Sequence, residues 1–122
     1  MFKIICFILI NMCCLVLFGQ SNVDLIIGKW KSEHGDRTIE FVQKGDHFDA
    51  IIKEANDQTL IGKTQISELK KSSNNNYSEG TIFIIKNGKK GICSAILKDG
   101  NELEITGKMG FLSRTTKWYR TK

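Results

Sequence analysis

Residues 107–120, GKMGFLSRTTKWYR, decide the fold more than any other stretch of the sequence. Two glycines provide a pivot, and the residues after them alternate as in a β-strand, so that every second side chain lies on the same face. One face of this terminal strand carries Arg114, Thr116, Trp118 and Arg120. We predict that the strand closes a small antiparallel barrel by pairing with residues 28–30 near the start of the folded chain.

The rest of the chain supplies the other strands of such a barrel. Short alternating segments are separated by glycine and polar turns, and no long stretch has helical periodicity. Hairpin signals stand at Lys44-Gly45-Asp46, Asn87-Gly88 and Asp99-Gly100. The pattern predicts an all-β fold, an antiparallel barrel of about eight short strands that closes on itself and so removes its edges.

Three segments are less regular than the others. Residues 60–69 place Ile66 and Leu69 three positions apart, which fits either a bulged strand or a turn of helix. Residues 71–77 contain three consecutive asparagines and are predicted to form a mobile loop. Residues 82–85 are apolar on both faces, so we expect that strand to be covered on both sides.

Residues 1–19 have the composition of a secretory signal peptide, with a positive start, an almost unbroken apolar run and the small residue Gly19. The apolar run is shorter than the roughly 20 residues that span a bilayer, which favours cleavage over a membrane anchor. We place the cleaved bond between Gly19 and Gln20, with lipoprotein processing at Cys13 or Cys14 as a minor alternative. The sequence therefore predicts export to the periplasm or the extracellular space.

The exported chain, residues 20–122, has the length of a single β-barrel domain with one core. Cleavage would leave Cys93 as its single cysteine, so that an internal disulfide cannot form. The 18 basic residues less Lys3 leave 17 against 13 acidic residues, a net charge of +4. Because the lysines are spread along the chain, we expect a solvated surface rather than an anionic partner, and no nucleic acid binding.

Short motifs along essentially all of the exported chain follow one family pattern in order. They are Ile27-Gly28-Lys29-Trp30-Lys31, Gly62 with Ile66 and Leu69, Tyr77, Gly80-Thr81-Ile82, Leu97-Lys98-Asp99-Gly100-Asn101-Glu102-Leu103, Gly107 with Gly110, and Arg114-Thr115-Thr116-Lys117-Trp118-Tyr119-Arg120. Together they resemble the bacterial domain of unknown function 2147 family. The resemblance implies a small exported protein with a lipocalin-like β-barrel. The family commonly has an acidic residue and a proline after the Gly-Thr-Ile motif, whereas residues 83–85 here continue the strand.

The opening and closing strands carry the candidates for barrel closure. Gly28 and Trp30 with an arginine on the last strand look like the lipocalin arrangement, in which a guanidinium lies over the indole at the closed end. Such stacking contributes on the order of 0.5–2 kcal/mol. The resemblance assigns this role to Arg114 or Arg120, and the alternation does not choose between them.

The barrel interior is the candidate binding site. A barrel of about eight strands is wide enough either to be filled by side chains or to hold one small ligand, and both alternatives stay open. The residues that we expect to line a ligand are Trp30, Phe41, Phe48 and Trp118. The small residues at which we expect space are Ala50, Cys93 and Ala95.

Catalysis has little support in the sequence. His34 and His47 are the only side chains that could act as bases at neutral pH, and neither belongs to a recognisable nucleophile motif. They also lack the spacing of metal ligands, and Cys93 between apolar neighbours is expected to be buried and inert. We therefore predict no enzyme, no catalytic residue, no metal and no cofactor.

Two functions follow from these observations. The first is a binding protein that holds a small apolar or amphipathic ligand in the barrel. The alternative is a structural or interaction protein of the cell envelope, with a solid core and a surface that meets a partner. Membrane contact, oligomeric state and the identity of a ligand stay open at this stage.

Overall fold

The protein is described by a computed structural model that covers residues 24–121, so the predicted signal peptide and its cleavage bond lie outside the described residues. Eight strands form one closed antiparallel barrel, with a short 3-10 helix at Gln58–Leu60. In chain order the strands are β1 (Gly28–Ser32), β2 (Arg37–Lys44), β3 (His47–Ala55), β4 (Thr64–Ser73), β5 (Asn76–Ile84), β6 (Lys89–Asp99), β7 (Glu102–Met109) and β8 (Leu112–Arg120). Within residues 24–121, no helix is long and apolar enough to cross a membrane.

The first and last strands lie side by side. Each strand pairs with its neighbour in the sequence, and β1 pairs with β8 so that Trp30 lies opposite Arg120 and Ser32 lies opposite Trp118. Every backbone edge is therefore paired, which protects a short β protein from edge-to-edge association. The prediction of an antiparallel barrel closed by residues 107–120 is confirmed.

The core follows from the alternation of side chains along the strands. Apolar residues at every second position point into the barrel and form one cluster, while the residues between them face water. The buried apolar residues of β1 to β3 are Trp30, Ile39, Phe41, Phe48, Ala50 and Ile52. Those of β4 to β8 are Ile66, Leu69, Tyr77, Cys93, Ala95, Leu97, Leu103, Ile105 and Trp118.

The irregular segment around Ile66 and Leu69 is a bulged strand, which is one of the two alternatives that its sequence left open. A helical turn, Gln58–Leu60, ends before these residues, and β4 itself is bulged. Opposite β3, Leu69 pairs with Phe48 and Ile66 pairs with Ala50, so three positions on one strand face two on the other. Glu68 absorbs the irregularity with a φ of 58°.

The mobile loop predicted at residues 71–77 is wrong. β4 continues to Ser73 and β5 begins at Asn76, so that only two residues connect the strands. Asn75 adopts a φ of 66°, and asparagine tolerates this left-handed conformation better than most residues. The asparagine run therefore forms a tight hairpin, which its polar composition alone does not distinguish from a loop.

The β5–β6 hairpin also differs from expectation. Ile84 pairs with Lys89, so the connection comprises residues 85–88 rather than the Asn87-Gly88 pair alone. Residues 82–85 are not covered on both sides, and Ile84 is 40% exposed. The reason is that this strand end borders empty space inside the barrel, and no second layer of the described chain covers its outer face.

One end of the barrel is sealed by Arg120, and we call it the closed end. The guanidinium carbon of Arg120 lies 4.3 Å from the centre of the Trp30 ring. Its Nε donates to the carbonyl of Gly100 at 2.7 Å, and its Nη1 donates to the carbonyl of Ile27 at 3.1 Å. Its Nη2 donates to the carbonyl of Leu25. Arg120, and not Arg114, therefore joins the last strand to the segment that precedes β1.

That preceding segment is held in place by two further groups. The indole Nε1 of Trp30 donates to the carbonyl of Ile26 at 2.9 Å. The carboxylate of Asp24 accepts from the amide of Ile26 at 3.0 Å, from the hydroxyl of Tyr77, and from Lys71 at 3.0 Å. Burial alone would raise the pKa of Asp24, but these hydrogen bonds together hold it below its ordinary value.

Gly28 is required by the close approach of Arg120. Its φ of 130° is one that residues with a side chain rarely adopt, and a Cβ atom there would lie 2.8 Å from Arg120 Nη1. The glycine therefore lets the guanidinium reach the Ile27 carbonyl.

Arg120→Lys is expected to lower the free energy of unfolding by about 1–3 kcal/mol, because an ammonium cannot stack on Trp30 and reach three carbonyls at once. Urea unfolding followed by circular dichroism measures the change. Arg114→Lys is the matched control on the same strand face, and it should change the free energy by less than about 0.5 kcal/mol. Equal losses in the two variants would contradict the assignment of Arg120 as the closing residue.

Candidate functional site

The other end of the barrel, formed by the β1–β2, β3–β4, β5–β6 and β7–β8 connections, holds a cavity that opens to solvent. Its volume is about 720 Å³, within the range of roughly 300–1,000 Å³ that is typical of small-molecule sites. Its walls are mostly apolar, and they include Leu60, Ile66, Ile82, Ile105, Met109 and Leu112. The barrel therefore contains a space of a size that could hold a small ligand, which was one of the two alternatives for its interior.

The cavity has a buried floor and an exposed mouth. Ile66, Ile105 and Trp118 at the floor are almost fully buried. At the mouth, Leu112 is 66% exposed and Arg114 is exposed as well. A ligand that entered from solvent would therefore pass from a wet, cationic mouth to a dry floor.

Two small residues lie on the inner face beside this space. On β7 the inward positions run Leu103, Ile105, Gly107 and Met109. The Ile82 side chain packs directly against the glycine, since a Cβ on Gly107 would lie 3.2 Å from one of its methyl groups. The short side chain of Thr116 occupies an equivalent position on β8.

Two consecutive hydrogen bonds connect polar groups along one wall of the cavity. Arg37 on β2 donates from Nη1 to the Gln65 side-chain oxygen at 2.5 Å, and Gln65 donates from Nε2 to the Phe83 carbonyl at 2.7 Å. Gln65 is only 7% exposed, so the two bonds fix its amide and the guanidinium that it holds. Arg37 is thereby positioned across the barrel interior, from β2 towards β4 and β5.

The charged groups of the cavity lining are all cationic. The lining carries the side chains of Arg37, Lys86 and Arg114, and no described lining residue is acidic. Arg37 Nε and Trp118 Nε1 have no hydrogen-bond partner among the described residues, but both atoms are buried in the wall and do not face the open space. The charge of the lining therefore favours a guest with anionic character.

The four residues that were predicted to line a ligand lie in two different halves of the barrel. Trp118 lines the cavity, whereas Trp30, Phe41 and Phe48 pack in the filled half and do not line it. Phe48 packs edge-on against Tyr77, with ring centres 5.8 Å apart. The rings of Trp30, Phe41 and Phe48 are at most 4% exposed, so no solvent-accessible space lies against them.

The small residues at which the sequence predicted space also lie outside the cavity. Ala50, Cys93 and Ala95 are buried and do not line it. Burial raises the pKa of Cys93 to about 12, so its thiol stays protonated at neutral pH. The signal that could have found the cavity was the same alternation applied one step further, from Trp118 to Thr116 and from Ile105 to Gly107.

Neither histidine lies in the cavity. His34 is exposed in the β1–β2 connection, 3.8 Å from the Glu33 carboxylate. His47 lies at the closed end, beside Asp46 and Asp49. Among residues 24–121, no three metal-ligating side chains cluster in a way that could hold a metal ion.

The comparisons with known proteins agree with this architecture. Residues 28–120 match the family described as "Uncharacterized protein conserved in bacteria (DUF2147)". The chain belongs to the DUF2147 family. The resemblance of its motifs to that family is thereby confirmed, and the matched residues include both strands that close the barrel. No curated protein matches the chain.

A solved structure supports the fold of this DUF2147 protein. Protein HP1028 of Helicobacter pylori, described as belonging to the lipocalin family, superposes with a TM-score of 0.65. The match covers 80% of this chain and 83% of that chain at 18% identity. At this identity the likeness shows the lipocalin-like fold alone.

Proposed function

We propose that this DUF2147 protein is a binding protein that holds one small amphipathic ligand in the open half of its barrel. The cavity of about 720 Å³ is the observation that supports this function. Its apolar walls favour a hydrocarbon body, and the cationic side chains of its lining favour a polar group on the same molecule. A barrel of about eight strands can hold such a ligand in its interior.

We also propose that the protein has no catalytic activity. The hydroxyl groups among the cavity-lining residues are those of Ser113 and Thr116, and no histidine or carboxylate of residues 24–121 lines the cavity beside them. A hydroxyl nucleophile needs a neighbouring base to be activated at neutral pH. The site therefore has the groups to bind a molecule and lacks the groups to transform it.

Export is part of the same proposal. The apolar run within residues 1–19 would direct the chain to the periplasm or the extracellular space, and the barrel domain would bind its ligand there. With a single buried cysteine, the domain would gain no stability from an oxidising compartment. Its stability would depend on the closed end instead.

Filling part of the cavity should weaken ligand binding. Thr116→Phe places a ring in the cavity, and we expect it to weaken binding of the apolar fluorophore N-phenylnaphthylamine by at least about tenfold, which equals 1.4 kcal/mol. The measurement is a titration followed by the fluorophore's emission.

Thr115→Phe is the matched control for this titration, because Thr115 faces outward and pairs with Thr106 across β7 and β8. It should bind the fluorophore within about twofold of the unmodified protein, a difference of only a few tenths of a kcal/mol. Circular dichroism verifies that both variants fold. The cavity proposal fails if the unmodified protein does not bind, or if the two variants bind alike.

A second candidate function is contact between the cavity mouth and a membrane surface. Four exposed apolar side chains form what we call the apolar rim: Ile61, Ile84, Phe111 and Leu112. Phe111, at the tip of the β7–β8 connection, is 96% exposed. The alternative function was an envelope protein with a solid core and a surface that meets a partner. The cavity does not fit the solid core, but the exposed apolar rim supports a surface partner.

The charges around the apolar rim suit an anionic lipid surface. Residues 80–98 and residues 105–122 contain no aspartate or glutamate, and they include four and five basic residues respectively. These segments form most of β5 to β8, and they place Lys86, Lys89 and Lys108 near the mouth. Apolar tips surrounded by lysines are typical of proteins that rest on anionic bilayers.

Phe111→Ser should weaken binding to vesicles of phosphatidylglycerol and phosphatidylcholine by about tenfold, because burial of a phenylalanine side chain contributes about 1.5–3 kcal/mol. Co-sedimentation at increasing salt measures the binding, which should fall as the lysines are screened.

Ile96→Ser is the control for the vesicle assay, since Ile96 is 45% exposed on β6 away from the mouth. It should leave sedimentation unchanged. Membrane contact through the apolar rim is excluded if the unmodified protein stays in the supernatant, or if Phe111→Ser binds as well as Ile96→Ser.

A further inference from the structure

The end of the β5–β6 hairpin, residues 83–90, extends beyond the strand pairing on both of its sides, and we call it the hairpin tip. The register of β5 with β4 begins at Ile82, opposite Ile66. The register of β6 with β7 begins at Ile92, opposite Lys108. The two ladders that hold the rest of the hairpin in the barrel wall therefore stop before the tip.

Hydrogen bonds within the hairpin tip keep it in one shape. Its two strands stay in register up to Ile84 opposite Lys89. The carbonyl of Ile84 accepts from the amides of Asn87 at 3.3 Å and Gly88 at 3.0 Å. The side-chain oxygen of Asn87 accepts from the amide of Lys89 at 2.9 Å. These bonds favour movement of the tip as one unit over its local unravelling.

A side-chain hydrogen bond connects the hairpin tip to β4 where the ladder has stopped. Nε2 of Gln65 donates to the Phe83 carbonyl at 2.7 Å, and we call this bond the latch. The oxygen of the same amide accepts from Arg37 Nη1 at 2.5 Å, and Gln65 is only 7% exposed, so its amide is held in position. One hydrogen bond contributes far less net free energy than a continued ladder would. The latch is therefore precise in geometry and easily broken.

Open space lies beside the hairpin tip in two directions. Residues 83–86 line the cavity of about 720 Å³. A second, shallower space of about 260 Å³ lies between the tip and the residues Lys63 and Thr64, and residues 83–85 line it as well. A segment with space beside it has few packing contacts to lose when it moves.

The base of the hairpin tip is fixed more firmly than the tip itself. A Cβ on Gly91 would lie 2.4 Å from the carbonyl oxygen of Lys108, so β6 passes close to β7 at this glycine. On the other strand, Ile82 packs against Gly107. Ile82 and Gly91 pair with each other directly below the tip. They mark the position at which a moving tip would bend.

We infer that the hairpin tip is the lid of the cavity: it lifts away from β4 when the Gln65 latch breaks, and it thereby widens the passage through which a ligand enters and leaves. This inference rests on the proposed binding function and specifies how the site opens. Loops and hairpins that open and close in this way control access to many enclosed sites.

Amide hydrogen exchange tests the lid without any ligand. Gln65→Glu keeps an oxygen for Arg37 but replaces the donor of the latch by an acceptor. We expect it to speed the exchange of residues 83–90 by about fivefold, the effect of losing one hydrogen bond of ordinary strength. The exchange of residues 103–107 on β7 should not change, because their ladder does not involve the latch.

Gln43→Glu is the matched control for this measurement. Nε2 of Gln43 donates to the carbonyl of Gly45 at 3.1 Å in the β2–β3 connection, at the closed end of the barrel. The same substitution there removes the same kind of bond and adds the same charge. It should leave the exchange of residues 83–90 unchanged. The lid is overturned if both variants speed that exchange alike, or if neither does.

Stopped-flow binding of N-phenylnaphthylamine tests whether the lid controls access. Gln65→Glu should raise the association and dissociation rate constants together, each by about fivefold, and keep the dissociation constant within about twofold. The reason is that a looser lid lowers the barrier to exchange and leaves the contacts of the bound molecule in place. Gln43→Glu should change neither rate constant.

The two ways in which this experiment can fail are distinguishable. Rate constants that Gln65→Glu leaves unchanged would overturn the lid and leave the binding function intact. Absence of binding to the unmodified protein would overturn the binding function, and the route of entry with it.

Discussion

The stack of Arg120 on Trp30 is the interaction on which the rest of the structure depends. A guanidinium 4.3 Å from the indole centre, bound to the carbonyls of Leu25, Ile27 and Gly100, ties the last strand to the segment before the first. Cys93 is the one cysteine among the described residues, so no disulfide shares this task there. Barrel closure therefore depends on strand pairing, on packing and on a single cation held at the end of β8.

Closure at one end explains why the two halves of the barrel differ. In the half that contains Trp30, large rings such as Phe41 and Phe48 are buried and do not line the cavity. In the other half the inward positions include Gly107 and Thr116, which line the cavity. The closed half therefore holds a packed core, and the other half holds the accessible space.

Much of this arrangement could be predicted from alternation and turn residues. The pairing of β1 with β8 and the inward face of Arg114, Trp118 and Arg120 follow from the period of two along a strand. Alternation could not choose between Arg114 and Arg120, because both share that face and only the position of the strand ends separates them.

The location of the cavity could not be predicted in the same way. Size alone suggested space at Ala50, Cys93 and Ala95, but these residues are at most 2% exposed and do not line the cavity. The Arg37–Gln65 bond joins residues 28 positions apart, and no local pattern predicts such a contact. The residues that make the site chemically distinctive were therefore visible only once the barrel was folded.

The two indole N–H signals in a nitrogen–proton correlation spectrum test this division of the barrel most directly, since the chain has two tryptophans. Trp30 Nε1 is bound to the Ile26 carbonyl in the closed end, whereas the side chain of Trp118 lines the cavity. On titration with N-phenylnaphthylamine, the Trp118 signal should move and the Trp30 signal should stay in place. Movement of the Trp30 signal with a stationary Trp118 signal would contradict the account, because the ligand would then occupy the half that the structure shows to be full.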